Sequence, residues 1–225
     1  MTTIIGTLKE TSLHAALKQL YARPGDLLEA KVGNSIIDIV RGDLLIEIQT
    51  GNFSSLKVKL NTYLDDRPLR VIYPIAVHKT ILRIANNGNK ISSRRSPKKG
   101  RIEMLFSELV RIPHYAKHPN FSLEVASIDE EEEWIDDGEG SWRRRGWSIS
   151  ERRMVKLIGS RDFVCPADYA DLLPVRLNEF FTSYDLAREA SLRKNLASKM
   201  IYCLRTMDVI RLVGKRGRSN LYSRQ

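Results

Sequence analysis

The stretch at residues 35–50, SIIDIVRGDLLIEIQT, decides the fold that we expect for this chain. It predicts two short strands, at residues 35–41 and 44–50, joined at Gly42-Asp43. A glycine at this point permits the backbone angles that a tight hairpin turn requires. We therefore expect an antiparallel hairpin here.

Two carboxylates lie in the middle of this hairpin. Side chains alternate along a strand, so Asp38 is expected on the face of Ile36 and Val40, and Glu47 on the face of Gln49. A carboxylate among apolar side chains is costly unless it has a partner, and two carboxylates on adjacent strands repel each other. A bound divalent cation that prefers oxygen ligands resolves both problems.

The spacing of Asp38, eight further residues and then Glu47-Ile48-Gln49 resembles the core motif of the PD-(D/E)XK nuclease superfamily. The resemblance implies that Asp38 and Glu47 hold Mg²⁺, for which Mn²⁺ can substitute, beside the scissile phosphate. Gln49 stands where most members carry a lysine that orients or activates water, and Ile37 replaces the usual proline. Without this resemblance, an Asp and a Glu on a hairpin are more often solvent-facing or ion-paired.

The predicted helices and strands around the hairpin have the order that is typical of the same superfamily. A capping box at residues 7–10 opens a helix that runs to about Tyr21, and three strands follow. A second helix is expected at about residues 53–64, and the apolar run at 69–77 predicts a buried strand. This αβββαβ order is that of the PD-(D/E)XK core, a restriction-endonuclease-like α/β fold.

The resemblance adds further residues to the expected site. Many members carry an extra acidic residue on the first helix, and Glu10 matches that place as a third metal ligand. Simple helix capping by Glu10 is the alternative, and Glu29 is a weaker candidate for the same role. In some members the second helix supplies the lysine, so Lys57 or Lys59 could replace what Gln49 lacks.

The balance of charge indicates a polyanionic partner. The chain of 225 residues has a net charge of +10 and a pI near 9.7, which favours nucleic acid. Residues 92–101, SSRRSPKKGR, are expected to form a flexible loop that contacts phosphates, although a solvated loop would have a similar composition. The residues assigned to DNA binding here are Arg94, Arg95, Lys98 and Lys99.

Cysteines and hydropathy bear on the compartment. Cys165 and Cys203 lie far apart without metal-ligand neighbours, which is typical of reduced residues in a cytoplasmic protein. The first residues lack the build of a signal peptide, and no segment approaches membrane-spanning length. We therefore expect a cytoplasmic protein without a membrane partner.

The middle of the chain changes the sign of its charge. One more strand is expected at residues 121–128, followed by the acidic block 129–133, expected as a solvated loop. Trp142 and Trp147 then flank three arginines, and they could either stack on bases or pin the linker to the first domain. A helical pattern with interruptions is expected at residues 151–173.

The last part of the chain resembles a winged helix-turn-helix domain. Thr182-Ser183 is expected to cap a short helix, Ser191 a longer one to about Asp208, and a basic hairpin follows as the wing. Residues 179–225 carry ten Lys or Arg against four Asp or Glu, a net of +6, which favours DNA over protein contacts. The residues assigned to DNA binding are Arg193, Lys194, Lys199, Lys215, Arg216 and Arg218, with Asn195 and Ser198 on the same exposed side.

These patterns together predict two domains, a nuclease-like domain at residues 1–149 and a winged helix at 150–225. The expected function is Mg²⁺-dependent endonuclease cleavage of DNA, and the expected partner is double-stranded DNA. The alternative is a DNA-binding regulator whose nuclease fold no longer cuts. An RNA nuclease, an enzyme for branched DNA and a homodimer all remain open, because the motif does not report the nucleic acid or the assembly.

Overall fold

The computed structural model describes residues 11–85 and 87–225. The first half has the predicted order of elements. The helix α1 (Ser12–Tyr21) begins after Thr11, whose side chain accepts from the His14 backbone N–H at 3.4 Å. The predicted capping box at residues 7–10 lies outside the described residues. After α1 come β1 (Leu27–Val32), β2 (Ser35–Arg41), β3 (Leu44–Ile48), a 3-10 turn (Phe53–Leu56), α2 (Lys57–Tyr63) and β4 (Leu69–Ile84).

The second half contains long strands and short helices. Residues 102–109 form a 3-10 turn, Ile102–Leu105, and the four-residue helix α3. The elements are β5 (Lys90–Arg95), α3 (Phe106–Leu109), β6 (Phe121–Ile135), β7 (Ser148–Phe163), α4 (Pro166–Ala170), β8 (Phe180–Phe181), α5 (Ser183–Glu189), α6 (Lys194–Thr206), β9 (Ile210–Arg216) and β10 (Ser219–Arg224).

Seven strands form one mixed sheet in the order β1-β2-β3-β4-β6-β7, with β5 beside the second half of β4. The strand β4 pairs in parallel with β3 on one side and with β6 on the other. Its ladder with β3 ends at Ile72, and its ladder with β5 begins at Thr80. Ligands of open α/β sheets bind beyond the carboxyl ends of strands, and the end of β3 lies in the middle of this sheet.

Helices cover both faces of the sheet. On one face, α1 buries Leu13 and Leu17 against Ile39, Ile46 and Ile72. The other face carries α2, α3 and the C-terminal helices in a larger core that extends from the hairpin to β10. Each fully buried leucine or isoleucine contributes about 1.5–3 kcal/mol, so this packing fixes α1 and α2 on opposite sides of β3.

The expectation of a solvated loop at residues 129–133 is wrong. These residues form part of β6, between β4 and β7. Glu130 and Glu132 are buried because cations on the neighbouring strands neutralise them. Lys79 Nζ on β4 donates to Glu132 and lies 2.9 Å from Glu130 Oε1, while Arg152 Nε on β7 lies 3.4 Å from Glu132 Oε1.

The prediction of a helical segment at residues 151–173 is also wrong for most of these residues. The strand β7 pairs with β6 up to Phe163, and only the five-residue α4 is helical after it. The predicted domain boundary at residue 149 would therefore separate β7 from its own sheet. A division that keeps the sheet whole falls after Phe163.

The C-terminal elements follow the prediction more closely. Thr182 caps α5, since its backbone N–H donates to Asp185 Oδ2 at 2.9 Å and its hydroxyl accepts from the Asp185 N–H at 3.2 Å. The helix α6 begins at Lys194 rather than after Ser191. β9 and β10 form the predicted hairpin, and β8 joins them as the third strand of a second sheet.

No helix within residues 11–85 and 87–225 is long and apolar enough to cross a membrane.

Candidate active site

Asp38 and Glu47 meet where β2 and β3 separate. The ladder between the two strands pairs Ile39 with Ile46, and one further step along it brings Asp38 level with Glu47. Beyond that pair, the Ile48 backbone N–H donates to Asp38 Oδ2 at 2.7 Å. The Asp38 carboxylate therefore lies against β3, beside Glu47.

Lys59 holds the Glu47 carboxylate. Its Nζ lies 2.7 Å from both Oε1 and Oε2 of Glu47, whose side chain is only 5% exposed. The neighbouring residues Leu56 and Leu60 are buried in the core, which orients α2 and presents Lys59 to the sheet. Burial and the charge of Asp38 raise the pKa of Glu47 from 4.5 to about 7, in spite of Lys59. Glu47 therefore changes charge near neutral pH.

His14 is a site residue that the sequence reasoning missed. It projects from α1, and its Nε2 lies 3.3 Å from Asp38 Oδ2. Burial acts to raise the pKa of Asp38, but the contacts from His14 and the Ile48 N–H and the charge of Lys59 outweigh it, so this pKa lies below its usual value. The available signal was spacing, because His14 follows Glu10 by four residues, which is about one turn of the helix predicted from the sequence.

Gln49 contacts the loop that precedes α2. Its Nε2 donates to the carbonyl oxygen of Gly51, and it lies 3.4 Å from the carbonyl oxygen of Asn52 and 3.3 Å from Ser55 Oγ. These bonds tie the end of β3 to the start of the helix that carries Lys59. The structure thus brings Lys59 to the carboxylates and engages the Gln49 amide nitrogen in the loop.

The remaining expected site residues lie apart from this group or outside the described residues. Lys57 is exposed on α2. The pKa of His114 is lowered mainly by the burial of His114 and further by the charge of Lys57. Glu29 pairs with Lys18, with 2.5 Å between Oε1 and Nζ. Glu10 lies outside the described residues, so its role as a metal ligand stays a prediction.

The two carboxylates have the donor chemistry of a magnesium site. Mg²⁺ is usually bound through one or two protein carboxylates, with water and substrate phosphates as the other ligands. In residues 11–85 and 87–225, no group of three or more His, Cys, Asp or Glu is placed to hold a metal ion. Asp38 and Glu47 would therefore supply only part of the ligands of a cation, and substrate and solvent would supply the rest.

The basic segment predicted to contact phosphates spans the end of β5 and the loop after it. Arg94, Arg95, Lys98 and Lys99 are all exposed. The structure places Arg94, Lys98 and Lys99 along a cleft of about 910 Å³. Three of the four expected contacts are therefore brought to one concave surface.

The expected DNA contacts of the C-terminal part divide into two groups. On α6 and before it, Arg193 and Lys194 are exposed and Lys199 is half-buried. Lys215 and Arg218 are exposed on the hairpin of β9 and β10. Arg216 also lies on this hairpin, but its guanidinium donates to Asp185 Oδ2 and to the Phe180 carbonyl oxygen, both at 3.1 Å. The remaining exposed positions of α6 are Asn195, Ser198, Tyr202 and Arg205.

Residues 11–164 match the model of a family described as a domain of unknown function, DUF8091. The chain belongs to the DUF8091 family. The DUF8091 match ends one residue after Phe163, at the end of β7, and contains the whole seven-stranded sheet with His14, Asp38, Glu47 and Lys59. An uncharacterised protein of Treponema pallidum (strain Nichols) is 28% identical over 228 residues, which is 98% of this chain and 88% of that relative. No solved structure matches the chain.

Proposed function

We propose that the chain is a metal-dependent nuclease that hydrolyses phosphodiester bonds in DNA. The observation that carries the proposal is the pair of adjacent, largely buried carboxylates, Asp38 and Glu47, with the Lys59 ammonium 2.7 Å from both oxygens of Glu47. Two neighbouring carboxylates and a lysine are the chemical groups of the PD-(D/E)XK site. Here the carboxylates come from β2 and β3, and α2 provides the lysine that position 49 lacks.

Asp38 and Glu47 would hold Mg²⁺ or Mn²⁺, which supplies Lewis-acid activation of water and charge stabilisation at the phosphate. Lys59, which contacts Glu47 in this structure, would stabilise negative charge on the phosphoryl oxygens once a cation neutralises the carboxylates. His14 and the Ile48 N–H keep Asp38 ionised and oriented. Gln49 fixes the loop that positions α2 and thereby positions Lys59.

Two basic surfaces support nucleic acid as the substrate. One is the cleft beside β5, and the other is the exposed side of α6 with the β9–β10 hairpin. The order of α4, β8, α5, α6 and a basic hairpin is that of a winged helix-turn-helix domain, which supports a role in holding duplex DNA. The net charge of +10 gives both surfaces a favourable long-range field for a polyanion.

Cleavage of a substrate panel tests the proposal. Linear, nicked, branched and single-stranded DNA, with matching RNA, would be incubated with Mg²⁺ or Mn²⁺ and either the wild type or Asp38→Asn. We expect hydrolysis of at least one substrate by the wild type and a loss of about 100-fold or more in the variant. A wild type that leaves every substrate intact with both metals contradicts the proposal.

A second candidate is a DNA-binding regulator in which the site no longer cuts. It is favoured by the contact of Lys59 with both Glu47 oxygens, since an ion pair of this kind neutralises the carboxylate without a metal. The regulator binds duplex DNA with equal affinity in chelator and in Mg²⁺, and it cleaves nothing. Metal-dependent cleavage by the wild type excludes it.

A further inference from the structure

A cleft of about 910 Å³ lies beside β4. Its lining includes Leu13 and Thr50, the chain neighbours of His14 and Gln49. The cleft therefore lies along β4, near the candidate active site. Neither the fold nor the carboxylate pair explains why this space is lined as it is.

Glycines hold both walls of the cleft in place. On one wall, the Ser96 N–H donates to the Lys79 carbonyl at 2.7 Å and the Gly100 N–H to the Ala76 carbonyl at 2.9 Å. A Cβ at Gly100 would lie 2.2 Å from that Ala76 oxygen, so only glycine permits the approach. The loop is thus fixed against β4 before any ligand arrives.

The opposite wall is a closed loop between β6 and β7. The Gly140 N–H donates to the Gly146 carbonyl at 3.0 Å, and a Cβ at Gly140 would lie 2.0 Å from the Trp147 oxygen. Arg83 stacks on Trp147 with 4.9 Å between its guanidinium carbon and the ring centroid, which pins this loop to β4. The wall is therefore preformed, and Trp147 has a structural role.

The charge of the cleft comes from its walls. At the floor, Lys79 and Arg152 neutralise Glu130 and Glu132, two cations against two carboxylates. Among the described residues that line the cleft, the only carboxylates are those of Glu130 and Glu132 at the floor, so the walls carry none. The basic side chains on the walls are Arg94, Lys98, Lys99, Arg143 and Arg144.

Trp142 stands at the mouth of the cleft with its ring in solvent. It is 82% exposed, and the Arg143 guanidinium lies 5.4 Å from its ring centroid. An indole beside guanidinium groups is the combination that stacks on a base and binds its phosphate. A base in a duplex is already stacked on both faces, so this arrangement suits an unpaired base. The volume of the cleft is within the range of pockets for small molecules, about 300–1,000 Å³, which is enough for a few nucleotides.

We propose that this cleft binds an unpaired strand of nucleic acid, with Trp142 as the stacking platform. The proposal rests on the proposed function in one respect, because the bound strand would lie next to the bond that the nuclease cleaves. The substrate is then a nucleic acid with a single-stranded end or flap, in which the cleft binds the unpaired strand and the C-terminal surface binds the duplex.

Binding measured in chelator tests the cleft separately from cleavage. Fluorescence anisotropy would use a labelled oligothymidylate of about eight nucleotides, within the usual range of single-strand site sizes, a matching oligouridylate and a blunt DNA duplex. Trp142→Ala is expected to weaken single-strand binding by about 5-fold to 150-fold and to leave duplex binding unchanged. Trp142→Phe, which keeps an aromatic face, should retain most of the affinity.

The matched control is the hairpin variant Lys215→Ala with Arg218→Ala, which should lose duplex affinity and keep single-strand affinity. Preference for thymidylate or uridylate identifies DNA or RNA as the strand. Wild-type affinity for single strands that Trp142→Ala preserves overturns the cleft assignment, as does an equal loss for single strands and duplex. If this binding pattern holds but the wild type cuts nothing, the nuclease proposal fails and the cleft proposal stands.

Discussion

The ammonium group of Lys59 lies 2.7 Å from both carboxylate oxygens of Glu47. Lys59 lies on α2 and Glu47 on β3, and the Glu47 side chain is nearly inaccessible to solvent. A lysine held this close to one carboxylate of a pair compensates its charge while no cation is bound. The same lysine is then in place to meet a phosphate.

Replacing Lys59 with alanine should abolish cleavage. The loss is expected to be about 100-fold or more in kcat, because a fixed cation at the developing charge is removed. Lys57→Ala is the matched control, since Lys57 lies on the same helix and is exposed. Rates would be measured at saturating DNA, and equal losses in the two variants would show that the helix, rather than Lys59, matters.

Replacing Gln49 should affect the loop more than the chemistry. Gln49→Ala removes the contacts of the amide nitrogen with Gly51, Asn52 and Ser55. Because this nitrogen has only two N–H groups, the loss corresponds to about two hydrogen bonds of about 0.5–1.5 kcal/mol each, and the unfolding free energy should fall. With Lys59 in place, kcat should fall by less than about 10-fold, and Gln49→Lys should stay active. If Gln49→Ala is inactive while Lys59→Ala cuts normally, the two roles are reversed.

The pKa of Glu47 predicts how stability depends on pH. Because burial and Asp38 raise this pKa from 4.5 to about 7, the folded chain keeps a proton that the unfolded chain releases. The stabilisation is complete below about pH 4.5 and is lost as pH rises through 7, a change of about 3 kcal/mol. Glu47→Gln should remove this loss, so urea unfolding at about pH 5 and pH 8 should favour the variant only at the higher pH.

The control for the pH experiment is Asp66→Asn, which changes an exposed carboxylate outside the site. It should follow the wild type at both pH values. A Glu47→Gln profile parallel to the wild type would show that Glu47 is ionised throughout this range.

The basic hairpin should separate into residues that bind DNA and one that holds the fold. Lys215→Ala and Arg218→Ala should each reduce the slope of log affinity against log salt by about 1, because each removes a phosphate contact. Arg216→Ala should instead lower the melting temperature, because its guanidinium bridges Asp185 and the Phe180 carbonyl. Normal salt slopes in the first two variants would place the hairpin away from DNA.

The parts of this fold that the sequence predicts are those with local signals. The hairpin at Gly42, the apolar stripe of α1 and the Thr182 cap all depend on neighbouring residues, and they were predictable. The strand nature of residues 129–133 was not, because a run of acids conceals the alternation of buried and exposed positions. Its burial depends on Lys79 and Arg152, which lie far away in the sequence.

The candidate site divides in the same way. Asp38 and Glu47 were found from their spacing on one hairpin. Lys57 and Lys59 could not be told apart, because the sequence does not fix the rotation of α2 over the sheet. His14 was missed because its contact with Asp38 depends on how α1 packs on β3, and that packing is decided by buried leucines and isoleucines of distant elements.

A calorimetric titration with Mn²⁺ tests the central claim most directly, namely that Asp38 and Glu47 form a divalent cation site. The wild type, Asp38→Asn and Asp66→Asn would be titrated with and without a non-hydrolysable oligonucleotide, at about pH 6 and pH 8. We predict one ion per chain for the wild type and Asp66→Asn, about 10-fold weaker binding for Asp38→Asn, and tighter binding at the higher pH because Glu47 then carries no proton. Absence of binding to the wild type under all these conditions, or equal affinity in Asp38→Asn, would contradict the account.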